Sequence, residues 1–171
     1  MAVVSSPFRR CLQTAALVCR ELGLAELSVD NRLGEDMAAV ARCNPDGKPF
    51  SYLTRQQAED AVAEHGSGVR LGPWAREESV PVAPDRIVHR VSVGIPAIFK
   101  AAASGGARSV LLMTHGDIVN TYLPELFEGI GAYRSEEAGF AVIKLAGEGG
   151  ILPGRLSDNS DILALHRCVR M

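Results

Sequence analysis

The feature that most constrains the fold is an apolar run that stops at a histidine and a glycine. Residues 110–113 read Val-Leu-Leu-Met, which predicts a buried strand, and Thr114, His115 and Gly116 follow directly. Residues 118–123 then predict the start of a helix. Such a turn places His115 at the carboxyl edge of a sheet and beside the positive end of a helix, where open α/β sheets bind ligands. Two interpretations are open: His115 belongs to a ligand site, or it only caps the turn.

A second strand-to-helix turn stands at the start of the chain. Residues 2–4 predict a short strand, and Ser6 followed by Pro7 is typical of a helix start with Ser6 as the N-cap. The apolar face of this helix is expected to comprise Leu12, either Ala15 or Ala16, Cys19 and Leu22. That spacing leaves Arg9 and Arg10 near the N-terminal end of the helix, outside the core.

A third polar turn follows a predicted strand at residues 27–30 and contains Glu35 and Asp36. These acids are either solvated turn residues or a proton donor. Guanidinium groups, helix N-termini and an imidazole at one sheet edge suit a phosphoryl group, because they donate charge-assisted hydrogen bonds to its oxygens. A carboxyl such as Glu35 would protonate a leaving oxygen if burial raised its pKa.

Strands that alternate with helices predict a mostly parallel sheet wrapped by helices. With 171 residues and 47% apolar side chains, one domain over residues 1–171 is expected. Residues 43–84 are rich in polar and turn-forming residues and predict an inserted flap. Within it, Thr54 and Gln57 have the spacing of a capping box that opens a helix. Trp74 either anchors the flap by burial or stacks on a substrate.

The second half of the chain predicts one long helix and a further strand. The helix starts at Pro84, and Pro96 is expected to kink or split it. His89 lies off its apolar stripe and is expected at the surface. The strand is predicted at residues 138–146.

Composition excludes several classes of function. A formal charge of −2 lacks the basic excess of a nucleic-acid-binding protein. No apolar run approaches the roughly 20 residues that cross a bilayer, so no membrane association is expected. The four cysteines show no Cys-x-x-Cys spacing, which argues against disulfides and zinc and favours a reducing compartment. We therefore expect a cytoplasmic protein without a metal or cofactor.

Residues 5–15, which read SSPFRRCLQTA, resemble the Ser-Ser-Pro-x-x-Arg-x-x-Gln-Thr-Ala motif of the histidine phosphatase superfamily, the phosphoglycerate mutase-like proteins. Thr114 to Gly116 resemble the second histidine motif of that family, and residues 32–35 resemble its Leu-x-Glu element. The resemblance implies a phosphoglycerate mutase-like α/β fold and a reaction through a phosphohistidine, with no metal. It implies that His115 stabilises the transferring phosphoryl group and that Glu35 is the candidate general acid. The phosphate-binding residues that it implies are Arg10, Arg9 and Ser6.

The sequence departs from the family at the nucleophile. The family's phosphorylated histidine lies in an Arg-His-Gly motif upstream of Ser-Ser-Pro, and no Arg-His-Gly occurs in these 171 residues. His65 precedes a glycine but follows a glutamate in a polar loop, so it is not expected to substitute. With the family's first strand and helix missing or replaced, the sheet is expected to have a gap and exposed strand edges. A homodimer is one way to cover such an edge.

Three explanations of this departure remain open. The sequence lacks its start, another strand or a partner fills the gap, or the chain is a non-catalytic member of the family. We expect a phosphatase-like protein that acts on phosphorylated small molecules or phosphoproteins and is inactive or weak in this form. The alternative is a non-catalytic module that binds a phosphate ligand or a protein.

Overall fold

Residues 1–42, 44, 46, 52–75 and 87–122 are described by the computed structural model. The chain divides into two units, residues 1–115 and residues 116–171, and each is described by itself. The described part of the second unit is residues 116–122, which include a π-helical turn at Ile118–Tyr122. The strand predicted at residues 138–146 lies outside the described residues. The single-domain assignment stays a prediction.

In the described part of the first unit, four strands form a parallel sheet with the order β3-β2-β1-β4. Its strands are β1 (Ala2–Ser5), β2 (Glu26–Asp30), β3 (Arg70–Ala75) and β4 (Val110–Met113). Its helices are α1 (Arg9–Glu21), α2 (Met37–Arg42), α3 (Arg55–Ala63) and α4 (Ile87–Ser104), and a 3₁₀ turn (Asn31–Leu33) follows β2. This architecture confirms the predicted α/β class with a mostly parallel sheet.

The pairing of β1 with β4 decides where the polar residues meet. The two strands run parallel, with Ala2 opposite Val110 and Ser5 opposite Met113. Since β1 also pairs with β2, no gap separates these three strands, contrary to the expectation of a gapped sheet. Parallel strands end at the same edge, so the residues after β1, β2 and β4 are neighbours.

Both faces of the sheet are covered, as is typical of parallel sheets. Val3 and Val4 alternate between the faces and belong to two different apolar clusters. The cluster on one face comprises Val3, Leu12, Ala15, Ala16, Cys19, Leu27, Val29, Ala58, Ala61 and Val62. The cluster on the other comprises Val4, Leu33 and Ile98, with Val110 and Leu112 packed against it. Leu22 follows the end of α1 and is 50% exposed, so its assignment to the apolar face was wrong.

The predicted flap contributes to the framework of the fold over part of its length. The expected capping box is confirmed, since Thr54 Oγ1 accepts from the Gln57 N–H and the Gln57 side chain accepts from the Thr54 N–H. The α3 helix packs against α1, and β3 joins the sheet beside β2. Trp74, on β3, packs against the core and donates from Nε1 to Asn31 Oδ1 at 2.7 Å, which agrees with its anchoring interpretation.

The α4 helix continues through Pro96 and is not split there. Its buried face includes Ile87, Val91, Ile95 and Ile98, and His89 is exposed as expected. Within the described ranges, no helix is both long enough and apolar enough to cross a membrane.

Candidate functional site

Ser6 and His115 meet because their strands are paired. The Ser6 N–H donates to the Met113 carbonyl at 2.8 Å, which extends the β1–β4 ladder by one residue beyond Ser5. The Ser6 hydroxyl lies 2.8 Å from His115 Nε2, and both residues are buried. Because Ser6 still belongs to the ladder, it does not cap α1, which begins at Arg9 with Phe8 as N-cap residue. The N-cap assignment of Ser6 was therefore wrong.

Arg10, Glu35 and His115 converge from three different strand ends. Arg10 is in the first turn of α1, Glu35 follows the 3₁₀ turn after β2, and His115 follows β4. Glu35 Oε2 lies 2.8 Å from Arg10 Nη2 and 3.0 Å from His115 Nδ1. Arg10 Nη2 also lies 2.8 Å from His115 Nδ1. The structure thus brings together four of the five predicted site residues, with Ser6 as the fourth.

The tautomer of His115 is assigned by weighing its contacts with Arg10 and Glu35. A ring nitrogen carries either one hydrogen or one lone pair, so Nδ1 cannot accept from Arg10 and donate to Glu35 together. We assign the hydrogen to Nδ1, because a lone pair there would face the carboxylate of Glu35 at 3.0 Å. In the neutral ring, Nε2 then accepts from the Ser6 hydroxyl. Glu35 Oε2 becomes the shared acceptor of one imidazole and one guanidinium donor.

The pKa of His115 lies below its ordinary value. Burial opposes the charged imidazolium most strongly, and the positive charges of Arg10 and Arg90 act in the same direction. The hydrogen bond and the charge of Glu35 oppose these effects without cancelling them. His115 is therefore mostly neutral near neutral pH in this arrangement.

The pKa of Glu35 is lowered, although its proton-donor role presupposed a raised one. Burial favours the neutral acid, but the hydrogen bond and charge of His115, the Asp36 N–H and the charge of Arg10 together outweigh it. Glu35 is thus a carboxylate in this geometry. The sequence could not anticipate the direction, because His115 and Arg10 reach Glu35 only through the tertiary fold.

Arg9 has a different environment from its neighbour Arg10. Its guanidinium pairs with Glu64 just after α3, and Gln13 donates to the other oxygen of the same carboxylate at 2.7 Å. The Arg9 side chain is about half exposed, and its charge is neutralised by Glu64. The structure therefore does not bring Arg9 into the Arg10–Glu35–His115 cluster.

An open cavity of about 400 Å³ lies beside Arg10. Two aromatic rings form part of its wall: Phe8 and Tyr52 pack edge to face, with ring centroids 5.7 Å apart. Phe8 also packs edge to face on His115 at 4.7 Å and lies 5.0 Å from the Arg10 guanidinium carbon. The remaining lining residues are Pro7, Arg9, Gln13 and Leu53. Neither aromatic ring was predicted for the site.

Cys11 lies next to His115, with its Sγ 3.8 Å from His115 Nε2 and 3.5 Å from the Thr114 carbonyl oxygen. Burial raises the pKa of its thiol to about 11, against the lowering effects of Arg10 and Ser6. The thiol is therefore protonated at neutral pH and is a poor nucleophile.

The loop that carries Glu35 is held on several sides. The Thr114 hydroxyl donates to the Leu33 carbonyl at 2.8 Å, which joins this loop to the end of β4. A buried arginine, Arg90 of α4, donates from Nη2 to the Gly34 carbonyl at 2.6 Å. Sequence analysis missed Arg90; the available signal was an arginine three residues after Ile87, on the buried side of the helix.

Gly34 is packed so closely that a methyl group should displace the loop. A Cβ at this position would lie 2.7 Å from the Tyr52 hydroxyl and 3.1 Å from the Asn31 carbonyl oxygen. We expect Gly34→Ala to lower the free energy of unfolding by about 1–3 kcal/mol, as overpacked sites do. Denaturant melts measure the change.

Gly105→Ala is the matched control, since its Cβ would meet its nearest neighbour, the Ala102 carbonyl oxygen, at 3.4 Å. It should change the free energy of unfolding by less than about 0.5 kcal/mol. Equal losses in the two variants would contradict the tight packing at Gly34.

The other two histidines in the described ranges stand apart from the cluster. His65 follows α3 and His89 is on α4, and both are exposed. Within the described residues, no group of three or more histidine, cysteine or acidic side chains is arranged to hold a metal ion.

Taken together, the fold and site define an α/β protein with a serine, an arginine, a glutamate and a histidine gathered at the carboxyl edge of a parallel sheet. The chain belongs to the histidine phosphatase superfamily (branch 1), whose family model matches residues 1–146. This match confirms the family resemblance of the sequence motifs.

Among solved structures, the chain is similar to the ecdysone phosphate phosphatase from Bombix mori in complex with tungstate. The TM-score is 0.50 and the sequence identity is 17%, so the similarity concerns the fold. The match covers 84% of this chain and 55% of the phosphatase, so the chain spans about half the length of that protein. No curated protein matches the chain.

Proposed function

We propose that the Arg10–Glu35–His115 cluster binds the phosphoryl group of a phosphorylated small molecule or phosphoprotein. The observation that carries this proposal is the convergence of Arg10 and His115 on one oxygen of Glu35, at 2.8 and 3.0 Å. A phosphoryl oxygen that replaces this carboxylate oxygen as acceptor receives both donors. The Arg10 side chain is 62% exposed beside the cavity, so it is free to turn onto a ligand.

The first turn of α1 adds to the attraction for an anion. Arg10 belongs to this turn, and Ser6 and Phe8 precede it. Backbone N–H groups at a helix N-terminus favour negative charge, and arginine provides planar contacts to phosphoryl oxygens. The ligand's phosphoryl group would therefore lie between the start of α1 and the end of β4.

Binding of a phosphoryl group would also change the protonation of Glu35. Its pKa is low partly because His115 and Arg10 donate to it. When these donors turn to the ligand, a neighbouring anion favours the neutral carboxyl. Glu35 then holds a proton close to the ester, as the general acid of a phosphatase requires.

His115 acts in this proposal as a partner of the phosphoryl group and not as its nucleophile. Its side chain is only 1% exposed. Nδ1 donates to Glu35, while Nε2 lies against the Ser6 hydroxyl and the Cys11 sulfur. In this arrangement neither ring nitrogen presents a free lone pair for attack on phosphorus, because Nδ1 carries a hydrogen and Nε2 accepts from Ser6.

The 171-residue chain alone should therefore bind phosphate but hydrolyse an aryl phosphate near the background rate. Hydrolysis of p-nitrophenyl phosphate by the purified chain measures the rate, and calorimetric titration with inorganic phosphate measures binding. Robust turnover that survives His65→Ala and His89→Ala but is lost in His115→Ala would overturn this, since His115 would then be the nucleophile.

A second candidate function is a non-catalytic module that binds a phosphate ligand. It is favoured by the retention of Arg10, Glu35 and His115 in a sequence that contains no Arg-His-Gly. Placing a segment that ends in Arg-His-Gly ahead of Met1 separates the two candidates. A gain of hydrolysis favours the phosphatase, whereas unchanged binding without hydrolysis favours the module.

A further inference from the structure

Arg90 is a buried cation that the proposed phosphoryl site does not use. It lies on the inner face of α4 and is 6% exposed. The helix approaches the 3₁₀ turn closely, because a Cβ on Gly94 would lie 2.8 Å from the Arg32 Cβ. Burial lowers the pKa of Arg90, although the nearby Tyr52, Asp36 and Glu35 oppose this effect.

The guanidinium of Arg90 contacts the two backbone carbonyls that precede and follow the Glu35 N–H. Nη2 donates to the Gly34 carbonyl at 2.6 Å and approaches the Glu35 carbonyl at 3.3 Å. Its Nε is buried, and the nearby Tyr52 side chain interacts with the guanidinium. Desolvating a guanidinium is unfavourable, and an apolar side chain would fill the position without that cost. A role in holding the Glu35 loop accounts for a charged residue here.

The loop is confined on its other sides as well. The hydroxyl of Tyr52 lies against Gly34, and the Thr114 hydroxyl donates to the Leu33 carbonyl. These contacts limit the backbone, but hydrogen bonds to the Gly34 and Glu35 carbonyls come from Arg90. The Glu35 carboxylate itself is held by Arg10, His115 and the Asp36 N–H, whereas Arg90 hydrogen-bonds the backbone from which the side chain leaves.

We propose that Arg90 is a positioning residue that holds the Gly34–Glu35 backbone so that, in the ligand-free protein, the Glu35 carboxylate lies on Nδ1 of His115. The proposal rests on the proposed function for its catalytic meaning, but its geometry is testable without turnover. Arg90 acts through Glu35 and has no contact with the ligand.

The pKa of His115 distinguishes positioning from a simple charge effect. Arg90 by its charge lowers this pKa, whereas Glu35 raises it and is the stronger influence. If Arg90 were only a nearby charge, Arg90→Met would raise the pKa of His115. If Arg90 holds Glu35 in place, the same substitution lowers it, by roughly one pKa unit, because the opposite charge moves away.

The experiment is a histidine titration by NMR in four proteins: the unaltered chain, Arg90→Met, Glu35→Gln and the double variant. We expect Arg90→Met to lower the pKa of His115 in the unaltered background and to raise it in the Glu35→Gln background. A rise in both backgrounds, or no change, would overturn the proposal. His89→Ala, an exposed change on the same turn of α4, should leave the titration of His115 unaltered.

Arg90→Lys keeps the inference testable if Arg90→Met does not fold. The lysine retains the charge, which lowers the pKa of His115, but falls short of the two carbonyls, so a fall at least as large as in Arg90→Met is expected, and an unchanged value would contradict positioning. Sulfate titration of the same proteins separates the two proposals. If sulfate does not bind but Arg90→Met lowers the pKa of His115, only the phosphoryl site is refuted. If sulfate binds but Arg90→Met raises the pKa of His115 in both backgrounds, only the positioning role is refuted.

Discussion

Replacing Arg10 with glutamine should weaken the binding of inorganic phosphate roughly 10- to 150-fold, the effect of losing a charged hydrogen bond of about 1.5–3 kcal/mol. Arg10 is the guanidinium that faces both His115 and Glu35, at 2.8 Å from each. Without it, the Glu35 carboxylate remains beside the site and repels an anion. Because the Arg10 side chain is 62% exposed, the fold should be unaffected. Calorimetric titration measures the change.

Arg9→Gln is the control for this prediction. It removes the same charge from the adjacent position, but Arg9 is paired with Glu64 outside the cluster. Phosphate affinity in Arg9→Gln should stay within about twofold, since exposed ion pairs contribute little. If Arg9→Gln weakened phosphate binding as much as Arg10→Gln, the phosphoryl group would not bind at the Arg10–Glu35–His115 cluster.

Asp30→Ala should destabilise the fold by about 3–5 kcal/mol, because it leaves a largely buried arginine without its carboxylate. Asp30 is 2% exposed, and its two oxygens accept from Arg32 Nε and Nη2 at 2.9 and 2.5 Å. One of these oxygens also accepts from the Arg32 N–H and so caps the 3₁₀ turn that leads to Glu35. Unfolding in urea measures the loss.

Glu26→Ala offers a matched comparison on the same strand. Glu26 pairs with Arg70 at 2.9 Å, but the two side chains are 39% and 76% exposed. Removing this exposed pair should cost about 1 kcal/mol or less. A loss in Glu26→Ala equal to that in Asp30→Ala would mean that burial does not set the contribution of the Asp30 pair.

Much of the fold was predictable from local sequence. The apolar run before Thr114 became β4, and the capping box at Thr54 opened α3. Within β3, Pro73 follows a glycine, and such a pair is more typical of a turn than of a strand. Yet β3 lies at an edge of the described sheet, where proline is tolerated because one side of the strand need not donate to a ladder.

The sequence motifs predicted which residues belong to the site but not the contacts that these residues make. Ser6 was predicted to cap a helix, but its hydroxyl lies 2.8 Å from Nε2 of His115, which is 109 positions away in the sequence. The direction of the Glu35 pKa shift and the buried role of Arg90 likewise depend on contacts between distant elements. No local pattern contains such information, because it arises from the order of strands in the sheet.

The central claim is that an anion binds beside His115, and the pKa of its imidazole in saturating sulfate tests this most directly. Sulfate keeps two negative charges across the relevant range and favours the imidazolium, so the pKa of His115 should rise from its lowered value. By linkage, sulfate should then bind more tightly as the pH falls from above the bound pKa towards the free one. NMR titration should show this rise in the unaltered chain and not in Arg10→Gln. An unchanged pKa of His115 in the unaltered chain at saturating sulfate would contradict the claim.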